Sequence, residues 1–416
     1  MIRRLATGPL LRVLQLLDRL LQLLVPPRRD QLAWMSDPDY IGSAHHLYRH
    51  ALRTRPGLRH VWLVADDDAR ARVEADLARW AGRLAPGARV AVRHRQRPAG
   101  YWAALRSRWV VHTHGTYPMT RTAARGRQVV SLWHGMPIKA IGALNRRSPN
   151  PHPTFGTLHV ATSPSYRPII AAAFRAPEAD VLLTALPRCD VLARPDPLGP
   201  AAAEVRAALG LAADRRLILW TPTYRSFAGA TAGPEAGART FLDDLPSGFV
   251  ERLADAADRH GCEVVVKLHP QDPLNGRAHE VDLGPLRLVT ARAWLATGFE
   301  LYDLVALADA LVTDVSSLLV DWLATDRPLG IVGFDPATYP RDVVVDVARI
   351  TGASRVHDLT DPEQLEDLVA RAGAGRPCGR EDDLSGWLSA APAGEGCETV
   401  LGAMGLGQVN SVAGEN

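Results

Sequence analysis

Two short stretches carry the only two lysines of a 416-residue chain: "SLWHGMPIKAIG" (131–142) holds Lys139, and "VVVKLHP" (264–270) holds Lys267. Every other cation is arginine, 46 of them, and each lysine stands within five residues of a histidine, His134 or His269. A lysine offers a compact ammonium on a slim stem, which fits against a phosphate where a planar guanidinium is too wide. An imidazole can exchange a proton near neutral pH. Cation plus imidazole, written twice, suits an anionic substrate whose reaction moves a proton.

Two further stretches join them. In "TDVSSLLVDW" (313–322) Asp314 ends an apolar run, and Ser316 and Ser317 stand where the helical pattern Leu318, Leu319, Trp322 begins. Free N–H groups and two hydroxyls there could hold a phosphate or pyrophosphate. In "TPTYR" (221–225) Thr223 and Arg225 follow another apolar run, and the arginine fork matches two phosphate oxygens. Each stretch also has a plainer reading. The serines can simply cap a helix, Lys267 can snorkel from a solvated strand end, and His134 can be a structural histidine in the turn shaped by Gly135, Pro137 and Gly142. His112 and His114 in "VVHTHG" read as wall or support residues on one strand face. Three histidines without a neighbouring carboxylate or cysteine make a poor metal site, so none is expected.

These stretches need strands to end where they begin. From residue 58 short apolar runs alternate with helical patterns: "HVWLVAD" (60–66), "ARARVEADLARWAGRL" (69–84), "ARVAVRH" (88–94), then "WVVHTHG" (109–115), "QVVSLWHG" (128–135), "LHVATS" (158–163) and "DVLLTALP" (180–187). That is the βαβ rhythm of a parallel sheet. After the Pro-rich "ARPDPLGPAAA" (193–203) the rhythm restarts with "RLILWTPTYR" (216–225), "EVVVKLHP" (263–270), "LRLVT" (286–290), "ALVTD" (310–314) and "PLGIVGF" (328–334). The expectation is an α/β fold of two Rossmann-like domains facing a cleft, over 36–195 and 204–390, with "SFAGATAGPEAGART" (226–240) as a flexible loop and 391–416 as a tail. In open α/β sheets ligands lie beyond the carboxyl ends of the strands, where all four stretches fall.

Length suits two domains, and a composition of 47% hydrophobic and 22% charged residues excludes long disorder except at the end. A net charge of +3 and arginine in place of lysine throughout give no sign of a nucleic-acid partner. Four cysteines without C-x-x-C spacing fit a reducing compartment. Residues 1–35 are set apart by "PLLRVLQLLDRLLQLLVPP". Arg12, Asp18 and Arg19 interrupt the apolar run, and Arg12, Gln15, Arg19 and Gln22 recur on one face, leaving leucine on a broad opposite face. This predicts an amphipathic helix ended by Pro26 and Pro27. It would lie on a membrane surface, or alternatively pack on its own domain or on a second copy of the chain.

With these residues in view, the chain resembles the CDP-glycerol glycerophosphotransferases, enzymes that prime or polymerise teichoic acid and related capsule polymers. "SLWHGMPIKAIG", "ATSPSYRPIIAAAF", "TALPRCDVL", "TPTYR", "VVVKLHP" and "LVTDVSSLLVDWLATDRPLGIV" occur in the family's order, from about residue 105 to 335. Val315 stands where the family usually has tyrosine, and Ala185 where it has glycine. The resemblance implies the glycosyltransferase GT-B arrangement, with an acceptor domain first and a donor domain second. It implies transfer of glycerol phosphate, or a related alditol phosphate, from a CDP-linked donor to a hydroxyl of a polyprenyl-linked acceptor. CMP would be released at the cytoplasmic face of the membrane, with no cofactor. The chain carries no fused second transferase module, which makes a primase or short polymerase the more natural expectation. Taken with that implication, His134 and His269 are the catalytic pair, with His134 the candidate base. His269 could instead be the base; Lys267, Arg225, Thr223, Ser316 and Ser317 hold the donor phosphates, and Gly135, Pro137, Lys139, Asp314 and Asp321 support, Asp314 by orienting a histidine and Asp321 by reaching the alditol hydroxyls. The alternative is a GT-B glycosyltransferase using a nucleotide sugar; assembly into homo-oligomers stays open.

Overall fold

The computed structural model describes residues 9–80, 88–146, 154–194, 198–199, 201–223, 225, 240–314, 316–333, 342–378 and 383–407. Nearly all of the loop 226–240, part of the Pro-rich segment 193–203, Val315 and the end of the tail lie outside the described residues. The chain divides into two compact units. The first runs to His134 and includes Gly142–Asp190 and the chain from Ala391 on; the second comprises Gly135–Ile141 and Val191–Ala390.

In the first unit β1 (Arg28–Met35), β2 (Arg59–Val64), β3 (Arg89–His94), β4 (Ser107–His112), β5 (Gln128–Ser131), β6 (Leu158–Ala161) and β7 (Val181–Leu183) form one parallel sheet, ordered β3-β2-β1-β4-β5-β6-β7. Side-chain alternation sorts its two faces. Ala33, Met35, Val61 and Leu63 pack toward the helix Pro98–Leu105, with Ala104 among them. Trp34, Trp62 and Tyr48 interlock as aromatics on the other face, ring centroids 5.4–6.3 Å apart.

Three boundaries differ from the sequence expectation. Residues 1–35 are not all helix, because Arg28–Met35 is the strand that pairs with both β2 and β4. Its leading charges, "RRD", disguise a segment whose last five residues are buried. The segment 391–416 is not merely a tail. Gly396–Ala403 is a helix of the first unit that buries Val400 and Leu401, and its start is held by Asp190, whose carboxylate accepts from the N–H groups of Gly396 (2.9 Å) and Cys397 (2.8 Å). Glu398 on this helix receives Arg55 at 2.7 Å. The third difference is the helix Pro9–Leu24, which exists but is turned over. Gln22, expected on the outer polar face, is buried with Asp18. Asp18 accepts from Tyr101 Oη (2.6 Å) and Gln22 Nε2 (2.8 Å), while Gln22 also donates to the Thr122 carbonyl (3.1 Å) and accepts from the Ala124 N–H (3.0 Å). Polar groups so paired can be buried at little cost; Leu11 is buried beside them, and Leu10, Leu16, Leu17, Leu20, Leu21, Leu23 and Leu24 are left outside.

The second unit repeats the plan with β8 (Arg216–Thr221), β9 (Cys262–Lys267), β10 (Arg287–Val289), β11 (Ala310–Thr313), β12 (Leu329–Ile331) and β13 (Val356–Asp358), all parallel, ordered β10-β9-β8-β11-β12-β13. Its core gathers Trp220, Phe241 and Phe249 beside Val264 and Val266. Gly330 on β12 has no room for a side chain, since a Cβ there would meet Leu359 and Leu368 at 2.7 Å. Both sheets have the order of a doubly wound nucleotide-binding fold. In the second, the strand order reverses between β8 and β11, where Thr221 pairs with Thr313.

Candidate functional site

At that reversal point three sequence-predicted residues meet. Asp314, just past β11, accepts from the Thr223 N–H (3.1 Å), the Thr223 hydroxyl (2.6 Å) and Arg225 Nη1 (2.6 Å). Arg225 also donates to the Thr223 hydroxyl (2.8 Å) and carbonyl (3.0 Å), to the Gly333 carbonyl (2.7 Å) and to Asp244. All three guanidinium nitrogens are thus committed, and the Thr223 hydroxyl both gives and receives. Where the sequence suggests a phosphate clamp, Arg225 and Thr223 tie the ends of β8 and β11 together in this structure. Asp314, expected to orient a histidine, serves the same knot. Sequence reasoning missed Asp244, which lies beyond a long loop and carries no local signal.

Next to this knot, β9 ends in Lys267, whose side chain is 8% exposed and whose ammonium donates to the Leu268 carbonyl at 3.1 Å. Burial lowers its pKa to about 8, with Glu300 opposing the shift. His269 follows, its Nδ1 accepting from the Gln271 N–H at 3.1 Å, so a neutral ring carries its proton on Nε2. Its pKa falls to about 4, through burial first and then through the positive charges of Lys267 and Lys139; Asp314 works the other way. Both lysines therefore act on His269, although in sequence Lys139 is nearer His134. The cause is a long-range pairing. Ile138 accepts from the Val344 N–H (2.8 Å), Ala140 donates to the Asp342 carbonyl (2.8 Å), and Lys139 is bridged to Val343, which places 135–141 in the second unit. Pro137 and its neighbours Met136 and Ile138 are buried there.

The serines flank this group. Ser316 caps the helix Ser317–Trp322, its hydroxyl oxygen accepting from the Leu318 N–H at 3.3 Å, and Ser317 opens the helix half-buried. Asp321 does not face outward to meet a substrate hydroxyl. It is 2% exposed and receives the Tyr302 hydroxyl.

In the first unit His134 follows β5 on a turn of unusual backbone. Trp133 has φ +53° and Gly135 φ +138°, bracketing His134 with two positive φ values. The first is strained for a tryptophan and the second favours glycine. Such a turn swings His134 outward, and it is exposed. Its ring stacks on His114 (centroids 4.1 Å, planes 2° apart) and against Trp133 (4.0 Å), and its carbonyl accepts from Arg188 Nη1 at 2.8 Å. The pKa of His114 falls to about 4, by desolvation first, with Arg95 and Arg188 adding and Asp37 opposing. His112 is fully buried, accepting from the Gly115 N–H (3.0 Å) and donating to the Phe155 carbonyl (2.9 Å). His112 is thus support and His114 wall. Arg188, in "LPRCD", was given no role by the sequence reading; its place in that motif was the signal.

The family model for CDP-Glycerol:Poly(glycerophosphate) glycerophosphotransferase matches residues 19–365. The teichoic acid ribitol-phosphate polymerase TarL of Staphylococcus aureus is 25% identical over 229 residues, 52% of this chain and 37% of that protein. The teichoic acid ribitol-phosphate primase of Bacillus spizizenii is 25% identical over 170 residues, 41% and 39% of the two chains. This chain therefore spans well under half the length of these relatives. Among solved structures, the wall teichoic acid polymerase TagF, soaked with CDPG, superposes with a TM-score of 0.70 over 94% of this chain and 92% of that one, at 16% identity, which is a likeness of fold.

Proposed function

The chain belongs to the CDP-glycerol:poly(glycerophosphate) glycerophosphotransferase family, and from that premise we propose that it transfers glycerol phosphate, or a related alditol phosphate, from a CDP-linked donor to a hydroxyl of a lipid-linked acceptor in the synthesis of a teichoic acid-like polymer. The observation that carries this reading is the placement of Lys267 and His269 just past the carboxyl end of β9, next to the reversal of the second sheet, with Lys139 held in the same unit by the pairing of 138–140 with 342–344. The second unit is the donor side. Lys139 and Lys267 bind the pyrophosphate, the Nε2 proton of His269 is donated to it, and Ser316 and Ser317 add hydroxyl donors. The first unit supplies the base. His134 takes the proton of the acceptor hydroxyl, the acceptor oxygen bonds to the phosphorus that bears the alditol, and the bond from that phosphorus to CMP breaks. The lysines stabilise the charge that accumulates on the departing phosphate.

The acceptor side is a membrane surface in this reading. Eight of the eleven exposed large apolar side chains among the described residues lie on Pro9–Leu24, including Leu16 at 58% and Leu20 at 45%, with Arg12 and Arg19 exposed among them. No helix among the described residues is long and apolar enough to cross a membrane. A helix that buries its polar side on its own protein and offers leucine and arginine outward is suited to lie in the headgroup boundary, on the cytoplasmic face where CDP-linked donors are available. The test of function is to offer CDP-glycerol, CDP-ribitol and UDP-sugars with a membrane extract and identify the nucleotide set free. CMP is expected; a nucleoside diphosphate would mean attack at a sugar carbon and overturn the proposal.

A further inference from the structure

The first unit has a second concave site, on the face of the sheet covered by Pro98–Leu105 and near the amino ends of β1 to β3, whereas His134 follows the carboxyl end of β5. It is a cavity of about 600 Å³, walled by Arg28, Arg59, Arg89, Arg93 and Arg106 and by Trp102, which is 52% exposed. Strand register places Arg59 directly opposite Arg89, with Arg93 four residues on along the same face. Like charges directly opposed across a parallel pair oppose folding. One carboxylate, Asp30, serves both Arg59 (3.0 Å) and Arg89 (3.2 Å), and among the described residues Arg28, Arg93 and Arg106 have no carboxylate partner. The floor is Gln31, Val61 and Ala91. Such a site suits an anion attached to a small polar or apolar body.

Its position says which. The helix Pro98–Leu105 stands between this cavity and the leucine helix: Tyr101 on one flank donates to Asp18 at 2.6 Å, while Trp102 on the other walls the cavity. The helix Pro9–Leu24 ends four residues before Arg28, whose N–H donates to the Arg106 carbonyl at 2.7 Å, and Leu23 and Leu24 are 67% and 77% exposed. Exposed leucine on one side of the helix Pro98–Leu105, and on its other side an exposed indole with guanidiniums that lack a carboxylate partner among the described residues, are the components of a membrane-interface site. We propose that this cavity receives the phosphodiester headgroup of an anionic phospholipid, a proposal that rests on the membrane reading of Pro9–Leu24.

The experiment compares binding to vesicles of phosphatidylcholine with and without phosphatidylglycerol. Each arginine at an anionic surface is worth about fivefold, so the double variant Arg89→Gln, Arg93→Gln should lose about 25-fold of the preference for phosphatidylglycerol while keeping its binding to phosphatidylcholine. A control pair of exposed arginines in the second unit, Arg292→Gln with Arg376→Gln, should lose none. The variant Leu16→Asp, Leu20→Asp should leave both vesicle types yet still bind soluble glycerophosphoglycerol by calorimetry, which separates failure of the anchor from failure of the headgroup site. An undiminished preference in the Arg89, Arg93 variant would overturn the proposal. So would an equal loss in the control pair, or calorimetric binding of soluble poly(glycerol phosphate) but not of glycerophosphoglycerol.

Discussion

His269 lies two residues past β9 of the second unit, set by burial and by the charges of two ammonium groups, whereas His134 follows β5 of the first unit on an exposed turn, with a second imidazole stacked on its face. The side chain is the same and its surroundings are not. Burial first, and then the positive charge beside it, disfavours the His269 imidazolium, so this ring stays neutral and offers a proton to an anion. A base must instead be within reach of the hydroxyl it deprotonates, and His134 is exposed. The comparison divides the labour between the two histidines, which residue type alone leaves open.

The largest effect that would break the comparison is on turnover. His134→Ala should lower kcat by about 10² to 10⁴-fold with donor affinity nearly unchanged, because a general base acts only in the transition state. His269→Ala should weaken donor binding as well as turnover. Equal profiles for the two variants, measured as kcat and as the calorimetric Kd for CDP-glycerol, would show that the difference in surroundings does not separate their roles.

The second test concerns the knot beside His269. If Arg225 ties β8 to β11, then Arg225→Ala strands the buried Asp314 carboxylate and should destabilise the second unit by about 3 to 5 kcal/mol in denaturant unfolding. A phosphate clamp predicts another outcome, unchanged stability with a weaker Kd.

How much of this was legible follows from the same residues. The runs "VWLV", "LILW" and "VVVK" are short, apolar and bounded, and each became a strand of a parallel sheet. "RRDQLAWM" was missed because its charges sit at one end and its apolar residues at the other, without alternation. "VHD" of β13 is too short for any pattern. Lys267 and His269 stand out as candidates in the sequence because a cation and an imidazole directly after a buried strand have few other uses. It could not tell that Arg225, Thr223 and Asp314 satisfy one another, since this depends on the adjacency of β8 and β11 across 89 residues of chain. The partner of Lys139 was hidden for the same reason: the pairing of 138–140 with 342–344 leaves no mark in either stretch.

The smallest effect, and the one that sharpens the comparison most, is a pH dependence confined to the donor side. Lys267 is buried and its pKa is lowered to about 8, while an unfolded lysine keeps its proton to about 10.5. Its charge is present below pH 8 and lost as pH rises through that value. Affinity for an anionic donor should therefore be full near neutrality and weaken above pH 8, by up to about tenfold per pH unit while this group titrates alone. Stability should move in the opposite sense. Between about pH 8 and 10.5 the unfolded chain binds the extra proton, so this group's contribution to stability rises with pH across the window in which donor affinity falls. Lys267→Arg keeps its charge throughout and should abolish the step in affinity, at the cost of a weaker Kd from the wider head group. His134→Ala should leave the step intact. A donor Kd that is flat from pH 7 to 10 in the unaltered protein would mean that Lys267 does not face the phosphates, and that the pairing of both lysines with His269 has another purpose.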